Sequence, residues 1–309
     1  MSGAITAWQW EVRLMTYLQT YASAFLVAAA SFFTVLGQEG VAIAVIGYFY
    51  WGKNKRYGRL LGFNILSAAL LNPMLKNIFM RRRPYFDHPE IQCLKAVHSG
   101  DLYDVSIQGY SFPSGHSANS AAFYGTLGIT NDKKVFKILG ILLPFLIGVS
   151  RVILGVHYPT DVLAGWFFGG FCTLFLSDLQ RKTSDIRSYY LWIFLFALIG
   201  LFYARTEDYF TCLGMQAGFF IGDIVEERYV QFHNSDNPLI CLLRLASAVL
   251  IFFLMNVLLK KAGVLIGIAN GSFAGHLYRS LRYGLMMFIL IGVYPRSFSM
   301  VEKWRNRHA

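Results

Sequence analysis

Charge is what this chain of 309 residues has least of: 15% of it is Asp, Glu, Lys or Arg, against 55% hydrophobic. A soluble domain carries about 25% charged residues. A soluble helical bundle would need a charged face on every helix, and most of these apolar runs have none. Cysteine is also sparse. Cys93, Cys172, Cys212 and Cys241 show no paired spacing such as CxxC, and no cysteine–histidine spacing fits zinc. Cys172 and Cys241 fall inside apolar runs as small core residues. Cys93 and Cys212 fall near one membrane side, so a disulfide between them is left open. There is no internal repeat and no low-complexity tract. The first twenty residues lack the basic start, short apolar run and small-residue cleavage site of a signal peptide, and none is expected.

Acidic residues are outnumbered, 17 against 28 Lys and Arg, for a net charge of +11. The positive residues stand in short clusters between apolar runs. That pattern suits the positive-inside rule of membrane proteins and argues against a nucleic-acid partner.

What the chain has in abundance is apolar length. Runs such as "VFKILGILLPFLIGVSRVILGV" and "LICLLRLASAVLIFFLMNVLLKK" match a bilayer's thickness and recur from end to end. The fold class expected is all-α, a polytopic membrane helix bundle of about nine spans. Residues 7–36 read as a partly amphipathic N-terminal helix on or in the membrane, and a first full span runs to about Trp51. Further spans are expected near 60–79, 114–130, 136–153, 160–178, 189–204, 211–228, 239–259 and 281–295. "GKNKRYGR", "NDKKVFK", "QRKTSDIR", "EERYVQFHNSDNP" and the tail fall alternately on one side and hold most of the lysines and arginines. That side is therefore expected to be cytoplasmic. The loops around 80–113, 150–160, 205–210 and 260–280 face away, although the last carries Lys260, Lys261, Arg279 and Arg282. The connection 84–112 is the longest polar one, and long ordered loops often carry function.

Charge at membrane depth is costly and usually marks a site. Three clusters fall at span ends on the same non-cytoplasmic side. In "KNIFMRRRP", Lys76 lies seven residues before Arg83, about two helical turns, so both can face one way. With Arg151 they make a cradle for a doubly charged oxyanion, whose oxygens suit arginine's planar fork. An arginine run alone more often snorkels to headgroups. In "PSGH", Ser114 can cap a helix, Gly115 lets the backbone approach a ligand, and the helix start offers amides to an anion. His116 at that lip can give a proton to a leaving oxygen. In "SRVILGVHYPTD", His157 and Asp161 stand one helical turn apart, with Pro159 between them as a helix starter. The carboxylate can bond one imidazole nitrogen and leave the other free to attack. Carboxylates are scarce near these clusters, so no metal and no cofactor are expected.

Lys76-x6-Arg83-Pro84, Pro113-Ser114-Gly115-His116 and Ser150-Arg151-x5-His157-x3-Asp161 resemble the three signature motifs of the type 2 phosphatidic-acid phosphatases. Glucose-6-phosphatase-like enzymes and vanadium haloperoxidases belong to the same superfamily. All eleven motif positions match, in order. The resemblance implies a six-helix phosphatase core over residues 1–180, with four additional transmembrane helices over 181–309. It implies a metal-independent mechanism with His157 as nucleophile, Asp161 as its orienting partner and His116 as acid for the leaving group. Lys76, Arg83 and Arg151 would bind the phosphoryl oxygens, helped by Ser114 and the Gly115 backbone.

The function expected is hydrolysis of a lipid phosphate or diphosphate at a plasma or inner membrane, on the face away from the cytoplasm. The partners expected are the bilayer and its lipid substrate. A soluble sugar phosphate is the alternative substrate, and a non-catalytic lipid transporter or scramblase is the alternative of another class. Asp223, Glu226, Glu227 and Arg228, with Arg282 and Tyr283, are read as interhelical ion pairing rather than a wall of the substrate pocket. Glu39 is left outside the site. Asn270 in "NGS" fits a glycosylation acceptor.

Overall fold

The computed structural model describes residues 6–96, 101–182, 186–269 and 271–299, and among them the chain is helical, with no strand. The helices are α1 (Gln9–Thr20), α2 (Ala24–Leu36), α3 (Glu39–Gly47), α4 (Lys55–Phe79), α5 (Pro84–Asp87) and α6 (Val105–Gln108). They continue with α7 (Gly115–Thr130), α8 (Lys134–Ile153), α9 (Pro159–Lys182) and α10 (Ile186–Ala197). The last three are α11 (Glu207–Val225), α12 (Pro238–Leu265) and α13 (Phe273–Phe288). α3, α11 and α13 run on into π-helical turns at Tyr48–Lys53, Glu226–Val230 and Ile289–Val293.

The all-α expectation holds. Among the described residues two single helices, Lys134–Ile153 and Pro238–Leu265, are long and apolar enough to cross a bilayer, and a third span results if α1 and α2 count together. The continuous N-terminal helix expected over 7–36 is two helices, bent by 119°. The Ser23 hydroxyl accepts from the Leu26 amide and starts α2 afresh, as a cap does. α4 begins earlier than its apolar run because Lys55, Arg56 and Arg59 are good helix formers and the Asn54 side chain accepts from the Tyr57 amide. α12 continues past Lys260 and Lys261 to Leu265 for the same reason.

The chain divides into two compact units. The first comprises Met1–Ala42, Leu71–Ser184 and Phe202–Thr206. Here α7 packs on α8 and α9 through small residues. A Cβ placed on Gly165 or Gly169 of α9 would stand 2.6 Å from the Ser114 carbonyl and 2.2 Å from that of Ala118. One placed on Gly140 of α8 would meet the Gly128 Cα of α7 at 2.9 Å. Backbones this close are the usual interface of helices in lipid, where small residues let dispersion contacts and weak hydrogen bonds accumulate. The result fixes the start of α7 against the start of α9.

The second unit comprises Ile43–Leu70, Asp185–Leu201 and Glu207–Ala309. Its axis is α11 against α13. Gly214 and Gly218, one turn apart, would put a Cβ 2.0 Å from the Ser280 carbonyl and 2.1 Å from that of Gly284. The acids at the end of α11 pair as expected. Asp223 bonds Arg59 at 2.6 Å and Arg187 at 2.8 Å, Glu226 bonds Lys55 at 2.7 Å, and Glu227 bonds Arg187. Arg282 lies over the Tyr283 ring. Glu39 opens α3, where an acid complements the helix dipole. All four cysteines are thiols, so the Cys93–Cys212 disulfide left open by the sequence is not formed. Asn270 lies outside the described residues.

Candidate active site

The stretch from Arg151 to Asp161 is built by two helix termini in succession. α8 ends in a Schellman motif: Gly155 takes a left-handed φ of +75°, its amide donates to the Val152 carbonyl, and the Val156 amide donates to that of Arg151. A side chain at 155 would collide with the Gln92 carbonyl, 2.1 Å from its Cβ. α9 then starts with Tyr158 before it and Pro159 in its first turn, a position proline suits. Asp161 occupies the third helical position, and its Oδ2 accepts from the Tyr158 amide at 2.7 Å, half of a capping box. His157 is thus held between the end of one helix and the start of the next.

Arg151, His157 and Asp161 are all buried. His157 Nδ1 lies 3.6 Å from Asp161 Oδ2, longer than a hydrogen bond. The Ser111 hydroxyl fills the gap, donating to that carboxylate with its oxygen 3.4 Å from Nδ1. The direct carboxylate–imidazole bond expected from the spacing is therefore replaced by a three-membered group that includes Ser111. Burial first, then the positive charges of Arg83, Arg151 and Lys76, hold the His157 imidazole well below its ordinary range. It is neutral near pH 7.

The three adjacent arginines have three fates. Arg81 is buried, bonded through Nη1 to Asp161 Oδ1 at 2.7 Å and through Nη2 to Glu11 Oε2 at 2.6 Å. Arg82 reaches outward to Asp87 at 2.8 Å. Arg83 donates to the carbonyls of Gln108 and Gly109 and so ties the end of the long connection. That connection is further pinned where the Leu94 amide donates to the Leu154 carbonyl at 3.0 Å. It also places Lys95 close enough to Arg151 and Arg83 to be repelled by both.

Helix α7 supplies the remaining parts. Ser114 caps it as expected, its oxygen accepting from the Ser117 amide at 3.4 Å and the Ser117 hydroxyl at 3.0 Å. A Cβ on Gly115 would lie 3.9 Å from Lys76 Nζ, so the ammonium reaches the first turn. His116 follows, its ring 3.3 Å from where a Cβ on Gly37 would stand. Arg151 donates to the Thr34 hydroxyl, while its buried Nε has no hydrogen-bond partner. Lys76, Arg83, Arg151, Ser114, Gly115, His116, His157 and Asp161 therefore all belong to one unit, at the facing ends of α4, α7, α8 and α9. Among the described residues no group of three or more His, Cys, Asp or Glu could hold a metal ion.

Residues 57–185 match the family model described as PAP2 superfamily, and 210–305 match that of the PAP2 superfamily phosphatase, transmembrane extension. The chain is 31% identical over 157 residues to undecaprenyl-diphosphatase of Sulfolobus acidocaldarius, covering 50% of this chain and 71% of that protein. The chain belongs to the PAP2 superfamily. A second PAP2 relative, phosphatidylglycerophosphatase B of Bacillus subtilis, is 32% identical over 155 residues, covering 47% of this chain and 69% of its own. The crystal structure of a transmembrane PAP2 type phosphatidylglycerolphosphate phosphatase from B. subtilis aligns with a TM-score of 0.46 at 26% identity, over 56% of this chain and 86% of that one.

The PAP2 motifs were legible as strings, whereas Ser111, Arg81, Thr160 and Glu11 were not assigned to the site. Thr160 donates through its amide to Glu11 Oε1 at 3.2 Å and accepts from Arg81 Nη1 at 2.7 Å. A signal for Arg81 existed: an arginine in an apolar context must find acids, and Glu11 and Asp161 are among the few available.

Proposed function

We propose that this PAP2 chain is an integral membrane phosphatase that hydrolyses a lipid phosphate or diphosphate through a phosphohistidine, without a metal, on the face away from the cytoplasm. In this reading residues 1–180 form the phosphatase core and 181–309 the additional helices of an architecture of about nine spans. The neutral His157 attacks phosphorus, the bond to the leaving oxygen breaks, and His116 delivers a proton to that oxygen. Water activated by His116 then cleaves the phosphohistidine and frees phosphate. Lys76, Arg83 and Arg151, with Ser114 and the Gly115 amide, hold the phosphoryl oxygens, and Asp161 acts on His157 through Ser111. Phosphoryl transfer is mostly positioning and charge stabilisation, which these residues supply.

The observation that carries the reading is the cation cluster around a buried, neutral histidine. The relatives add the substrate class, since they are named for undecaprenyl diphosphate, phosphatidylglycerophosphate and lipid A. The test is phosphate release by the purified chain in detergent with chelator present, on lipid phosphates, lipid diphosphates and a sugar phosphate. Release from a lipid substrate, lost in His157→Ala, is expected. Preference for the sugar phosphate would overturn the lipid assignment. Release that needs a divalent ion would overturn the metal-free mechanism.

A further inference from the structure

Arg81 sits where two helix starts meet. Glu11 is the third residue of α1 and accepts from the Trp8 amide at 2.9 Å, as Asp161 is the third residue of α9 and accepts from the Tyr158 amide at 2.7 Å. Each acid uses one oxygen to cap its own helix and the same carboxylate to hold Arg81. Thr160 joins them from the side, and the guanidinium lies 4.0 Å from the centroid of the Tyr158 ring. All three charged groups are buried: Glu11 and Asp161 at 0% exposure, Arg81 at 2%.

The charges balance only as a set. A helix start contributes about half a positive charge, so two starts and one arginine are matched by two carboxylates. Take Glu11 away, and Arg81 has Asp161 as its remaining carboxylate partner while α1 loses the acid at its start. Asp161 is then drawn toward Arg81 and away from Ser111 and His157. Because Asp161 reaches His157 only across Ser111, small movements of that carboxylate alter the orientation of the imidazole.

We infer that Glu11, through Arg81, is a positioning residue for His157, and that the N-terminal amphipathic helix is part of the catalytic apparatus rather than a membrane anchor alone. The inference rests on His157 being the nucleophile. Glu11 touches neither substrate nor His157, so its loss slows turnover without weakening the hold on phosphate. Lys76, Arg83 and Arg151 remain as they were.

The experiment compares wild type, Glu11→Gln, Glu11→Asp, Arg81→Lys and His157→Ala on one lipid phosphate in detergent. It records kcat, KM, inhibition by inorganic phosphate and the thermal midpoint. Glu11→Gln is expected to lower kcat by about tenfold to a hundredfold, the usual cost of losing a partner that orients an active-site ligand. KM and phosphate inhibition stay at wild-type values, and Glu11→Asp recovers part of the rate. Arg81→Lys, which keeps the charge but loses the two-pronged bond, shows the same pattern and serves if Glu11→Gln does not fold. Wild-type kcat in both variants beside a dead His157→Ala would overturn the inference alone. A loss in kcat matched by an equal loss of phosphate inhibition, with no recovery in Glu11→Asp, would reduce Glu11 to a folding role. An active His157→Ala would overturn the nucleophile reading and this inference with it.

Discussion

Two ion networks, one in each unit, differ in how their charges are settled. In the second unit Lys55, Arg59 and Arg187 meet Asp223, Glu226 and Glu227, three against three, by direct contact. In the first, Glu11 and Asp161 are committed to Arg81, while Arg151 is buried beside further cations and bonds a neutral hydroxyl. Burying like charges together costs stability, and such costs are commonly found at functional sites. The network of the second unit holds helices, and that of the first is the one that, in the proposed reading, receives a phosphate. Both places stand out in the sequence as polar clusters, and the difference lies in the pairing.

Substitution of one arginine in each network separates the two. Arg151→Met is expected to lower kcat/KM about 10²–10³-fold, as removing one charge-stabilising donor does, with a thermal midpoint equal to or above wild type because a buried repulsion is gone. Arg59→Met leaves Asp223 short of a partner. It should cost about 3 kcal/mol, read as a midpoint drop of roughly 5–10 °C, with kcat per folded molecule preserved. The opposite assignment, an unstable Arg151→Met and a stable but inactive Arg59→Met, would break the comparison.

The smallest effect concerns Lys95. Burial, then Arg151 and Arg83, push its ammonium down to about 8, so it is charged below that pH and loses its charge above it. If that charge helps hold the substrate, wild-type KM rises as pH passes 8. Lys95→Gln should then raise KM about threefold at pH 7, in keeping with a partly exposed ion pair, and flatten its dependence around pH 8. An unchanged KM profile in Lys95→Gln would confine substrate binding to Lys76, Arg83 and Arg151.

Why some of this was legible in the sequence follows from distance along the chain. Ser114, Gly115 and His116 are consecutive, and Arg151, His157 and Asp161 span the end of one helix and the first turn of the next, so spacing alone put them together. The glycine run Gly214, Gly218 and Gly222 was equally readable, as a four-residue repeat of small residues in an apolar helix. Glu11 and Arg81 were not readable, being 70 residues apart. One lay on a helix taken as membrane-surface and the other in an arginine run that usually reaches for headgroups. The bend between α1 and α2 that returns Glu11 to the site has for its local sign only the Ser23 cap.

The Glu11–Arg81 pair also has a place in time. A chain made from its N-terminus presents Glu11 and Arg81 to the membrane before Asp161 exists, with 80 residues still to be added. At ordinary rates of synthesis that interval lasts ~4–16 s. During it Glu11 is the acid already available to shelter Arg81, a cation that ends up buried. When α9 arrives, it docks onto an arginine already held in place, and the last carboxylate of the site is seated by the first helix that was made.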